Sequence, residues 1–336
     1  MRKSALASLL VGGVVSALCL WYAFRGVRPA ELWEGAIAVG PMWLLLSVLA
    51  ALANLLVRAA RWQLLLPSLP SIRFAPLASA TFIGIMANNL LPARMGEVIR
   101  AWTIARQESA PMPTILGSVV IERMLDGLTT LLILGVCAAL WTHPKAELSR
   151  VLQQTGLIIT FVAAVALMGL VAIVRYRERV LDLFSRLARL SGPRWGPRAI
   201  ELLDRFLHGL CVFSNGTQTA AVCGLSVAAW SLLILSFHLL AVGFALPVTP
   251  IQTALVFVII MLGIAIPSAP GFVGTFHGFC VVGLSLVADV DAPKAAAYAT
   301  VLHGSQWLTI NVIGLVCLMR SGTISWSGMT QLAKRG

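Results

Sequence analysis

Three features of this chain predict an all-helical polytopic membrane protein: little charge, apolar runs of span length from end to end, and an uneven spread of Lys and Arg between alternate loops. Hydrophobic residues make up 59% of the 336 and charged residues only 11%, against about a quarter charged in soluble domains. One membrane bundle over 1–336 therefore replaces the two soluble domains that length alone would suggest. The net charge of +12 reads as basic loops held beside anionic headgroups, with no nucleic acid as partner. Six cysteines are scattered, mostly in apolar runs and without a metal-like spacing, so they read as small buried hydrophobes.

The first span covers about 5–24, behind Arg2 and Lys3. Its apolar core is too long for a cleaved leader, and no small-x-small site follows it. Leu18 ahead of Cys19 also argues against a lipoprotein signal. A second span is predicted at 41–57, followed by Arg58, Arg61 and Arg73. Residues 76–91 are apolar but run into Asn88, Asn89, Pro92, Arg94, Gly96 and Glu97, a polar break where a span should continue. Irregular backbone at such depth is tolerated only where protein or a cavity surrounds it, so a re-entrant helix pair is expected, returning over 95–107.

Further spans are expected at about 113–141, 155–174 and 217–245. Between the last two, 175–216 has the pattern of cytoplasmic interfacial helices: Leu181, Phe184, Leu187 and Leu190 recur among arginines, as do Leu202, Leu203, Phe206 and Leu210. Residues 251–266 meet Pro267 and Pro270, so a second re-entrant pair is expected before a last span at 295–319. The prediction is thus about six full spans plus two oppositely oriented re-entrant pairs. Eight spans result if 251–290 crosses fully.

With both termini cytoplasmic, 17 of the 25 basic residues fall inside and 5 outside, as the positive-inside tendency requires. Arg94, Arg100 and Arg123 remain within predicted membrane segments. Charges at that depth cost about 2.5–3.5 kcal/mol each and normally face a cavity or a partner. Arg94, Glu97 and Arg100 repeat at i, i+3, i+6 near one helix face, and Glu122, Arg123 and Asp126 form a second cluster. One reading has these charges neutralise one another, for example Arg123 with Glu97 and Arg94 with Asp126. The other has the arginines also bind an anionic lipid headgroup, because a guanidinium matches phosphate at two points.

Asn88 and Asn89 either contact the headgroup or cap the next helix. In the second break Ser268, Gly271, Gly274, Thr275 and His277 are further candidates for substrate contact. Glycine lets backbone amides approach an anion, and equally lets helices pack closely. No metal site or cofactor is expected, and no phosphate-cradling loop suggests direct use of ATP.

Through Asn89-Leu-Leu-Pro-Ala-Arg-Met-Gly-Glu-Val-Ile-Arg100, Glu122-Arg-Met-Leu-Asp126-Gly and Pro267-Ser-Ala-Pro-Gly-Phe-Val-Gly-Thr-Phe276, the chain resembles the flippase-like transmembrane domain of lysylphosphatidylglycerol synthases. It is also similar to stand-alone proteins built from that domain. The resemblance covers essentially the whole sequence and implies movement of a lipid between leaflets of a bacterial cytoplasmic membrane. The sequence stops soon after the last span, so no aminoacyl transferase is expected. The lipid is then an anionic or aminoacylated phospholipid or a polyprenyl phosphate. The alternatives are a lipid-binding scaffold for a membrane glycosyltransferase or lipid-modifying enzyme, and an intramembrane enzyme using Glu122, Asp126 and His277. The partners expected are the lipid and either a second copy or such an enzyme.

Overall fold

A computed structural model of the chain describes residues 3–66, 72–91, 94–141, 146–176, 178–179, 182, 185 and 215–321. The interfacial segment expected over 175–216 lies almost wholly outside these residues. Among them, the regular structure is helical: α1 (Lys3–Phe24), α2 (Pro29–Ala38), α3 (Pro41–Leu64), α4 (Phe74–Leu90), α5 (Gly96–Gln107), α6 (Met112–Leu140), α7 (Ala146–Arg175), α8 (Gly216–Gly243), α9 (Pro250–Ala265), α10 (Thr275–Ala288) and α11 (Ala292–Arg320). Helices α3, α6, α8 and α11 are long and apolar enough to cross a membrane, as is Pro270–Ala288 when the turn before α10 is included. The chain is a polytopic helical membrane protein.

Pairwise contacts show how the short helices fold. Gly84 of α4 lies against Arg100 and Gly96 of α5, and Gly96 against Asn88, so the two run antiparallel from a shared tip. In α9 and α10, Gly263 packs on Phe279 and Gly283 on Val256, while the Gln252 side chain donates to the Val287 carbonyl at 3.0 Å. This second pair is likewise antiparallel. Its arms of 16 and 14 residues span about 24 and 21 Å at 1.5 Å per residue, short of the roughly 30 Å hydrocarbon core.

The two hairpins enter from opposite ends. The start of α4 and the end of α5 share a cleft with Cys317 and Arg320, at the C-terminal end of α11. The base of the second hairpin lies by the start of α11, where the Lys294 ammonium reaches the Ala245 carbonyl at 3.2 Å. The tips meet partway along α11: the His303 ring nitrogen Nε2 pairs with the Gly271 carbonyl at 2.9 Å, and Gly271 abuts the Asn89 backbone and the Trp307 indole. Each hairpin has its own apolar core. Trp62, Leu77, Ile104, Ile115 and Leu125 pack around the first, and Phe237, Phe257, Ile260, Leu284 and Tyr298 around the second.

Two elements differ from expectation. α3 runs seven residues past the predicted end at 57, because Arg58 and Arg61 are satisfied inside the bundle. The helix therefore continues to Leu64. α2 was not foreseen. Pro29 starts it, Glu31 folds back to accept from the Arg28 amide at 3.0 Å, and Gly35 packs on Ala297, leaving Trp33 and Ile37 exposed as suits a helix lying in an interface.

The second tip leans on α1. The Ala269 amide donates to Ser16 Oγ at 2.8 Å, and Gly274, at φ +96°, lies against the Ser16 backbone. Both the positive φ and the absence of room call for glycine here. Gly274→Ala is expected to destabilise the protein by about 1–3 kcal/mol, read as a lower melting temperature in detergent. Unchanged melting would mean that the tip does not seat on α1.

Candidate functional site

Three helices each supply two or more charged side chains to one buried cluster. Arg58 and Arg61 are one turn apart on α3, Glu97 and Arg100 one turn apart on α5, and Glu122 and Asp126 one turn apart on α6, with Arg123 beside them. Glu122 lies at the centre. Its Oε1 is 3.1 Å from Arg58, 3.2 Å from Arg61 and 2.8 Å from Arg123, and its Oε2 is 2.9 Å from Arg100. Asp126 accepts from Arg61 at 2.7 Å and Arg58 at 3.2 Å and forms an ion pair with Arg123 at 2.8 Å. Glu97 pairs with Arg100 at 2.8 Å and approaches Arg123 at 3.5 Å.

The surroundings hold these groups in place. Arg61, wholly buried, also donates to Ser226 Oγ of α8 at 3.0 Å. Arg100 lies over the Trp62 ring at 4.7 Å, and the Trp62 indole donates to Ser118 at 2.9 Å. Of the cluster's side chains, Arg123 is the most open at 39% exposure, against 0% for Arg61 and Glu122. It is the guanidinium of the cluster least covered by protein.

The cluster does not balance. Four guanidiniums, Arg58, Arg61, Arg100 and Arg123, face three carboxylates, Glu97, Glu122 and Asp126. Among the described residues one positive charge is in excess, and Nε of Arg58 and of Arg61 has no hydrogen-bond acceptor. This replaces the three-against-three balance expected from sequence, in which Arg58 and Arg61 counted as cytoplasmic loop residues. The signal for them was present: Asn54, Arg58 and Arg61 fall at i, i+4, i+7, a single helical face, and Asn54 also points inward, donating to the Ala229 carbonyl at 2.6 Å.

Arg94 stands apart from this cluster, and its expected pairing with Asp126 is not formed. At φ +53° on the first tip, it sends its guanidinium to the Ile264 carbonyl at the end of α9 and over the Phe272 ring at 5.0 Å. A cation there answers the partial negative charge and free carbonyls of a helix C-terminus. Arg94 thus ties one hairpin tip to the other.

Beside that contact lies a cavity of about 130 Å³, bordered by Asn89, Ile264, Phe272, His303, Gln306 and Trp307 among others. The other sequence candidates divide between the tips. Asn88 Oδ1 accepts from the Gly96 amide at 2.8 Å, which is the capping alternative. Asn89 and Gly271 sit at the junction. Gly274 packs against α1, and Ser268 backs onto Gly12 of the same helix. Thr275, fully buried, donates to the Phe272 carbonyl at 3.2 Å. His277 lies among Phe24, Phe276 and His303.

A family described as the lysylphosphatidylglycerol synthase transmembrane region matches residues 9–314. The chain is 23% identical over 278 residues to a protein of Haloferax volcanii named glycosyltransferase AglD, covering 74% of this chain but 44% of that one. It thus spans less than half of that relative's length. It is also 23% identical to a UPF0104 membrane protein of Methanothermobacter thermautotrophicus, over 94% of this chain and 96% of the relative. No solved structure matches it.

Proposed function

The chain belongs to the family of lysylphosphatidylglycerol synthase transmembrane regions, and from that membership and the surplus charge of its buried cluster we propose that it moves a lipid with an anionic headgroup between leaflets. The surplus is the observation that carries the reading. Four buried or half-buried guanidiniums against three carboxylates leave a site whose charge is completed by one phosphate or phosphodiester anion, for which guanidinium is the matched donor. Arg123 and Arg94 are the groups such a headgroup meets first. Arg94 extends the positive path from the cluster to the hairpin junction, and Glu97 and Asp126 hold Arg123 in position.

The same reading places the chain in a bacterial cytoplasmic membrane with both termini inside. Even with Arg58 and Arg61 moved into the cluster, the inside retains fifteen basic residues against five outside. Opposed broken helices meeting within a bundle are a recurring transporter arrangement. The name of the Haloferax relative, glycosyltransferase AglD, favours a second reading, in which the chain presents a lipid carrier to a glycosyltransferase without moving it across.

Liposomes separate the two. Purified protein is reconstituted with headgroup-labelled phosphatidylglycerol, and a membrane-impermeant quencher is added outside. Translocation is expected to expose label well beyond the outer-leaflet share, in proportion to protein content. Quenching that stops at the outer leaflet for phosphatidylglycerol, aminoacylated lipid and polyprenyl phosphate alike would overturn transport and leave the presenting role.

A further inference from the structure

The cavity at the hairpin junction has a different chemistry from the arginine cluster. It is bordered by the aromatic faces of Phe272 and Trp307 and by the polar side chains of Asn89, His303 and Gln306, with no charged side chain among its lining residues. Gln306 gives one of its two amide N–H groups to Ser236 Oγ at 3.0 Å, which leaves the second N–H as a donor and the carbonyl oxygen as an acceptor. The Nε2 of His303 is committed to the Gly271 carbonyl. Pairing with a carbonyl makes Nε2 the protonated nitrogen and Nδ1 a second acceptor. The Asn89 side chain offers both functions.

Acceptors among aromatic rings suit two guests, a hydroxylated group or an ammonium. Two facts decide between them. No carboxylate among the described residues borders the cavity, so an ammonium entering it would lose its water without gaining a counter-charge. The Phe272 face, moreover, already carries a cation, because Arg94 sits 5.0 Å over it and would repel a second. Arg94 marks the same rim through its bond to Ile264, another lining residue. A phosphate held by Arg94 therefore places whatever is esterified beyond it at the mouth of the cavity. At about 130 Å³, the space suits a small substituent on the scale of a short polyol rather than a bulky headgroup.

We propose that the cavity between the two hairpin tips, bordered by Asn89, Phe272, His303, Gln306 and Trp307, is a second subsite that takes a small uncharged hydroxylated headgroup substituent. It selects such lipids over those carrying an amine. The proposal rests on the headgroup reading above and narrows its substrate from anionic lipids in general to phosphodiesters of a polyol.

The test is equilibrium binding of three short-chain lipids to the detergent-purified chain: dihexanoyl phosphatidylmethanol, phosphatidylglycerol and phosphatidylethanolamine. Phosphatidylmethanol carries the phosphodiester charge with nothing to fill the cavity, and phosphatidylglycerol adds two hydroxyls. Phosphatidylglycerol is expected to bind about tenfold more tightly than either of the others. Asn89→Leu, and separately Gln306→Leu, should bring it down to the phosphatidylmethanol value without altering phosphatidylmethanol itself. Gln306→Glu, which gives the cavity a carboxylate, should shift preference toward phosphatidylethanolamine. Phosphatidylglycerol selection that survives both leucine variants, or is absent from the wild type, overturns the subsite. In either case the headgroup reading stands if phosphatidylmethanol binding depends on Arg94. Phosphatidylmethanol binding that is undetectable, or is unchanged in Arg94→Ala, overturns both.

Discussion

Glu122→Gln is expected to destabilise the protein by about 3–5 kcal/mol, the range for removing one partner from a buried ion pair. Glu122 touches all four guanidiniums of the cluster, and it is wholly buried. Its neutralisation raises the surplus from one positive charge to two, in a place that water reaches poorly. Arg58→Gln makes the informative comparison. It removes two ion pairs against the four of Glu122 and takes the surplus to zero, so its effect should be clearly smaller. Combining the two should recover part of the loss, because the surplus returns to one. Melting in detergent, followed by monodispersity on size exclusion, reads all three. A double variant no more stable than Glu122→Gln alone would mean that the charge excess of the cluster is not felt, which would remove the main support for an anion site.

How far the sequence reveals this arrangement depends on the range of the interaction. The long helices were legible because hydropathy is a local property, and the hairpins because Pro92, Pro267 and Pro270 interrupt apolar runs too early for a full crossing. Glu97, Arg100, Glu122, Arg123 and Asp126 stood out as charges at depth, and helical spacing put those of each helix near one face, but which faces meet is set by how α5 packs on α6. Arg58 and Arg61 were missed for a physical reason. A hydropathy window ends a span at its first arginine, whereas the helix ends only where its side chains can no longer find partners. Here the partners lie more than sixty residues further along the chain. α2 escaped because ten residues with two glutamates carry little apolar signal. The Arg94–Ile264 contact joins residues 170 apart. It depends on how two hairpins meet, which no local pattern encodes.

That contact sets the second large effect. Arg94→Ala is expected to slow lipid translocation in liposomes by about 10- to 100-fold, since one charge-assisted interaction is worth about 1.5–3 kcal/mol and each 1.36 kcal/mol is tenfold in rate. Stability should change little, because Arg94 is exposed and lies outside the Glu122 cluster, with its bonds made to one carbonyl and one ring face. Alanine keeps the unfavourable φ of +53°. Arg94→Gly is therefore the control, since glycine adopts that φ freely while also lacking the guanidinium. If both variants fold and both lose transport, the guanidinium itself is required. Arg94→Lys then asks what it does: a lysine can still reach the Ile264 carbonyl with a point charge but cannot engage phosphate in two-point geometry. Recovery with lysine to the wild-type rate would assign Arg94 to fastening the hairpin tips. Continued loss with lysine would assign it to the headgroup, which must displace the Ile264 carbonyl to bind. On the charge surplus and the placement of Arg94 at the cavity rim, continued loss is the expected result.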